Sequence, residues 1–152
     1  MEILFKPHHC ALSVRDIDQS AAFYSMFGFK LVLRWAAPDD SLTIVHLTRD
    51  DGFILELFEY ESNRETGPVN LAIGNDLERL GVKHIAFKVD DLSSAAEEFE
   101  RMNYRQMTAI KDGRTGIRYF FVADPDGNWV EIAQDNRVLN PDNPAFVGAA
   151  DQ

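Results

Sequence analysis

The chain predicts an α+β fold made of two βαβββ modules, and three observations carry that prediction. The run HCALSV from His9 reappears as HIAFKV from His84, 75 positions later. The run GFILELF from Gly52 reappears as GNWVEIA from Gly127 at the same offset of 75. In each half, one stretch with helical periodicity follows the first of these runs, and β-like segments separated by turn residues follow the helix. A duplicated unit of one helix and four strands accounts for all three.

Taken in order, residues 8–14 alternate as a half-buried strand does, with His9, Ala11 and Ser13 on one face and Cys10, Leu12 and Val14 on the other. Asp16 and Asp18 offer capping oxygens to a helix through SAAFYSMF, whose stripe is Ala22, Phe23, Met26 and Phe27. Gly28 reads as its stop. FKLVLRW is the second strand, Pro38 to Asp40 a turn, SLTIVHL the third strand, RDDG at 49–52 a turn, and FILELFEY the fourth strand. The repeat then runs as strand HIAFKV, a helix through SAAEEFERM capped by Asp91 or Ser93, a β-like run 104–110, a turn around GRTG, strand RYFFVA, turn DPDG and strand NWVEIA. This gives a first module at 1–60, a connector at 61–80 with room for a short helix near Asp76 to Leu80, a second module at 81–135, and a tail at 136–152 without periodicity. Residues 8–135 form one domain of two modules.

The totals bound the function. A chain of 152 residues that is 45% hydrophobic closes a core of single-domain size. A formal charge of −10 argues against nucleic acid and anionic membrane surfaces, which need a basic footprint, and favours small molecules or proteins as partners, with a small-molecule substrate expected. Cys10 is the only cysteine, so no internal disulfide forms, and its apolar strand makes it a small core residue. With neither a basic leader nor an apolar run of membrane-spanning length, a cytoplasmic protein is expected.

The chemistry gathers at the duplicated strands. His9 and His84 are equivalent, and so are Glu56 and Glu131. The neighbours of each His on the opposite face are apolar, so those faces pack under the helices and the imidazoles stay on the open face. Glu56 lies between Leu55 and Leu57, and Glu131 between Val130 and Ile132; each carboxylate points away from the apolar side. An unpaired carboxylate in dry surroundings is costly, and a divalent cation removes the cost. Two imidazoles and two carboxylates suit Ni, Co, Zn, Mn or Fe(II). His8 is the rival of His9, because a slip of one residue exchanges them.

If RDDG closes a four-residue hairpin, Val45 lies across from Glu56 and His46 faces the other way as a structural residue. The same pairing around DPDG sets Phe120 across from Glu131 and Arg118 across from Ala133, so both would line the cavity. Phe58 and Trp129, in phase with the two glutamates, would be its apolar walls.

The runs HHCALSVRDIDQSAAFY, GVKHIAFKVDDL and VADPDGNWVEIAQ resemble the vicinal oxygen chelate superfamily of glyoxalase I, extradiol dioxygenases and bleomycin resistance proteins. The resemblance covers residues 8 to about 135 and is strongest to small bacterial glyoxalase-like proteins. It implies curved mixed sheets forming a metal-holding cup, often completed in a homodimer. It also places the glyoxalase I ligand pattern His, Glu, His, Glu on His9, Glu56, His84 and Glu131. Arg34 resembles an arginine that glyoxalase I uses for glutathione, whereas Tyr60 stands where that enzyme tends to carry Asn. The expected function is a metal-dependent lyase or isomerase acting on a small vicinal-oxygen substrate through a metal-stabilised enediolate, with Glu131 or Glu56 moving the proton. A metal-poor binding protein of the bleomycin-resistance type and an Fe(II) extradiol-type dioxygenase are the alternatives.

Overall fold

The computed structural model describes residues 6–63, 73, 77, 78 and 80–144. Strands and helices follow the duplicated order: β1 (His9–Ser13), α1 (Ile17–Ser25), β2 (Lys30–Ala36), β3 (Leu42–Thr48), β4 (Ile54–Tyr60), β5 (His84–Lys88), α2 (Leu92–Arg101), β6 (Lys111–Asp112), β7 (Arg118–Ala123) and β8 (Trp129–Gln134). They form two four-stranded sheets, β1-β4-β3-β2 and β5-β8-β7-β6. In each, the first strand runs parallel to the last and the other pairings are antiparallel. The expected pair of βαβββ modules in mixed sheets is therefore the fold. The chain divides into two compact units, residues 1–72 with 124–128, and residues 73–123 with 129–152.

Each helix begins where a side chain satisfies its free N–H groups. Asp16 accepts from Gln19 N at 2.9 Å, and Asp91 accepts from Ser93 N and Ser94 N at 3.0 and 3.1 Å. Because these N–H donors favour the charged form, both aspartates are held below the usual carboxylate range. Gly28, at φ +84, stops the first helical segment in the left-handed conformation that glycine adopts without strain.

In the first unit, α1 buries Ile17, Phe23 and Tyr24, and the sheet buries Leu55, Leu57, Val45 and Leu47. Register puts these four sheet residues on one face, since Leu55 and Leu57 are partners of Leu47 and Val45. In the second unit, Phe120, Val122, Val130 and Ile132 do the same, while α2 buries Leu92, Ala96 and Phe99. The opposite face of each sheet carries the glutamates, Glu56 in the first and Glu131 in the second.

The first unit also contains a buried carboxylate. Asp124, fully enclosed, accepts from the Tyr24 hydroxyl at 2.9 Å, from the N–H groups of Asp126 and Asn128, and from the Asn128 amide. Burial and the Asp124 charge push the Tyr24 hydroxyl far above the usual tyrosine range, so it stays a donor. DPDG is thus more than the expected turn, since its first residue anchors the Tyr24 hydroxyl.

Two expected features differ. Residues 104–110 are not a strand: Met107 makes one bridge to Val122, and the two-residue β6 follows. The ladder is interrupted because Phe121 N–H bonds the Thr108 hydroxyl at 2.9 Å, a side chain competing with backbone. The suggested helix near Asp76 to Leu80 and the tail beyond residue 144 lie largely or wholly outside the described residues. Among the described residues, no helix is long and apolar enough to cross a membrane.

Candidate metal centre

Both hairpins decide which side chains meet the glutamates. Between β3 and β4, Arg49 N–H bonds Phe53 O at 3.2 Å and Gly52 stands at φ +82. The loop proper is therefore the three residues 50–52, closed by a left-handed glycine, and Thr48 pairs with Ile54. A four-residue loop would have paired the strands one position differently, and one position exchanges the two faces. His46, not Val45, is the partner of Glu56. The DPDG turn repeats this with Gly127 at φ +85 and Asp124 N–H to Asn128 O, so Phe121, not Phe120, is the partner of Glu131.

Two pocket assignments, Phe120 and Arg118, fall with that register, and Arg34, which rests on the resemblance, lies on the helix side. Phe120 pairs with Ile132 and is fully buried on the helix side. Arg118 pairs with Gln134 rather than Ala133, shares the face of Phe120, and reaches Asp112 at 3.3 Å. Arg34 pairs with buried Val45, and its guanidinium binds Asp18 on α1 at 3.0 Å, which removes it from the face of Glu56. His46 moves the other way, from a structural residue on the far face to the neighbour of Glu56. Phe58 and Trp129 share the faces of Glu56 and Glu131 respectively, as their spacing requires. Leu33 and Trp35, partners of His46 and Ile44, join the first open face, and Trp35 is 48% exposed.

In the first unit, His46 Nε2 lies 2.9 Å from Glu56 Oε1, and His9 Nε2 lies 3.7 Å from Glu56 Oε2. The His9 Nδ1 meets His8 Nδ1 at 2.8 Å, which leaves Nε2 turned to the carboxylate. In the second unit, His84 Nε2 is 2.7 Å from Glu131 Oε2. Glu131 is only 7% exposed, and the His84 ring packs edge-on to Phe121, which in turn meets Trp129 and Tyr119. The His84 Nδ1 is buried without a hydrogen-bond partner.

The chemistry of these donors fits a divalent ion. Each open face carries an imidazole Nε2 directed at a carboxylate oxygen, the neutral-N and anionic-O combination that borderline metals bind. The donors come as a pair in each unit; among the described residues no group of three or more His, Cys, Asp or Glu forms a metal-holding cluster.

Comparison with known proteins agrees with the architecture. The family model described as the glyoxalase/bleomycin resistance protein/dioxygenase superfamily matches residues 6–132. The chain belongs to this superfamily. It is 32% identical over 148 residues to a lactoylglutathione lyase of Pseudomonas putida, covering 84% of this chain and 83% of that protein. It is 26% identical over 147 residues to a lactoylglutathione lyase of Schizosaccharomyces pombe, covering 87% of this chain but 48% of that protein, so it spans about half of that relative's length. Among solved structures, the crystal structure of SMU.1112c is similar with a TM-score of 0.67 at 28% identity, covering 86% of this chain and 99% of that one.

Proposed function

We propose that the protein is a metal-dependent lyase or isomerase of the glyoxalase type, acting on a small substrate with two neighbouring oxygens. The observation that carries this is the repeated pair, His9 with Glu56 and His84 with Glu131, each directed Nε2 to carboxylate on an open sheet face. A first module would supply His9 and Glu56 to a divalent ion (Ni, Co, Zn, Mn or Fe(II)), and a second module His84 and Glu131. When bound, that ion supplies Lewis-acid polarisation of a substrate carbonyl.

The chain's own groups do the rest. Glu131 or Glu56 takes the proton from the carbon next to the carbonyl and returns it to the neighbouring carbon; a carboxylate held among apolar side chains is suited to this because water competes poorly for it. Phe58 and Trp129 supply apolar walls that orient the substrate. On β2, Leu31, Val32, Leu33 and Trp35 are exposed, which supports a homodimer that covers them.

The test is a substrate screen that includes hemithioacetals of several thiols, run on protein reconstituted with each of the five metals. Turnover that depends on added metal is the expected result. Protein that retains less than about one divalent ion per two chains and turns over nothing would defeat the proposal in favour of a ligand-sequestering binder.

A further inference from the structure

His46 has no role in the four-residue set, yet it makes the shorter contact to Glu56. Its Nε2 is 2.9 Å from Oε1, while His9 stands 3.7 Å from the other oxygen. A carboxylate can only accept, so His46 Nε2 carries the hydrogen and donates it. The two oxygens of Glu56 are thereby distinguished: Oε1 is engaged by β3, and Oε2 is left facing His9 across the β1/β4 pair. One donor on one oxygen fixes the rotation of a carboxylate about its last bond, a torsion that is otherwise broad.

The repeat supplies an internal control. The residue 75 positions beyond His46 is Phe121, which holds the same place across from Glu131. Phe121 has no donor. Glu131 is instead bonded by His84 itself at 2.7 Å, with Phe121 packed against the His84 ring. The second pair is positioned by apolar packing, whereas the first, more exposed pair has a hydrogen-bond donor in the same location.

We propose that His46 is a positioning residue, whose Nε2–H holds Glu56 by Oε1 so that Oε2 is presented with His9 Nε2 to a divalent cation. This rests on the reading that His9 and Glu56 bind metal. Donors that orient a ligating carboxylate typically change metal affinity 10- to 100-fold when removed.

The experiment compares the unaltered protein with His46→Phe, which installs the second repeat's residue, and with His46→Gln, whose amide can still donate. Binding of Co(II) and Zn(II) is measured by calorimetry, the Co(II) site by its visible absorption, and folding by thermal unfolding. His46→Phe should weaken binding by about 10- to 100-fold and shift the Co(II) bands, with His46→Gln staying within about threefold of the unaltered protein. Should His46→Phe fail to fold, His46→Ala takes its place with the same expected weakening. Binding within about twofold of the unaltered protein, with unchanged bands, would overturn the inference and leave the metal reading intact; so would equal weakening by Phe and Gln. If the unaltered protein takes up neither ion, the metal reading fails and this inference fails with it.

Discussion

The two halves of the duplication hold the same pair of residues in different ways. Glu56 is half-buried and lies between two imidazoles, bonded to His46 and more distant from His9. Glu131 is buried, bonded to one imidazole, and lies across from Phe121, whose ring meets His84, Tyr119 and Trp129. One substitution at an equivalent position, His46 against Phe121, produces much of this difference. A buried carboxylate must have a charged or hydrogen-bonding partner, and a more exposed one can share its oxygens between partners and water. Duplication preserved the donors, and the strand opposite them decided how firmly each is held.

The largest expected effect on function comes from removing the tight partner. His84→Ala leaves Glu131 buried and unpaired, so it should lose metal retention and turnover altogether and lower stability by about 1–3 kcal/mol, read by metal analysis, assay and denaturant unfolding. The matching His9→Ala should lose affinity as well, with little change in stability, because His9 is exposed and Glu56 keeps its bond to His46. Equal destabilisation by the two would break the contrast.

The hairpins test the same asymmetry. Asp124 and Arg49 are equivalent across the repeat, but Asp124 accepts four hydrogen bonds in the interior. Arg49 pairs with Asp51 at 3.3 Å near the surface and stacks on Phe29. Asp124→Ala should cost about 2–4 kcal/mol in denaturant unfolding, since it strands the Tyr24 hydroxyl and the turn N–H groups. Arg49→Ala should cost less than about 1 kcal/mol.

Installing the first half's residue in the second gives a smaller effect. Phe121→His puts a polar ring among Tyr119, His84 and Trp129 and should lower stability by about 1–3 kcal/mol, visible as a shifted denaturant midpoint at unchanged slope.

The smallest effect is common to both halves. Asp16 and Asp91 have folded values below the ordinary 3.8, so each contributes stability that is complete above that pH and is lost as pH falls through the lowered value. Asp16→Asn and Asp91→Asn should leave neutral-pH melting nearly unchanged, because Asn also caps, and flatten its decline in acid. A flattening by one variant alone would reveal a further difference between the units.

Much of this was legible in the residues. The 75-residue offset, the helix caps and the parity of the apolar residues gave the paired modules, and put His9 on the open face with Glu56, and His84 with Glu131. Those features are local, or depend only on the two-residue period of a strand. The residues across from the glutamates are not legible in this way, for a definite reason. Gly52 and Gly127 close three-residue loops in the left-handed conformation, and counting four residues instead moved every cross-strand partner by one. Hence a four-residue count sets Phe120 and Arg118 on the open face and His46 on the covered one, and the three-residue loops reverse each. The strand expected at 104–110 failed similarly, because whether the Thr108 hydroxyl displaces a backbone partner of Phe121 is not written in β propensity.

The sequence by itself determined the duplication and the alternation of side chains within each strand, since periodicity acts within a single segment. Only the tertiary structure decided that His46 holds Glu56 while Phe121 packs beside His84, and that Asp124 meets Tyr24. Those contacts join separate segments, and the pairing register that sets the cross-strand ones turns on the backbone angles of single glycines.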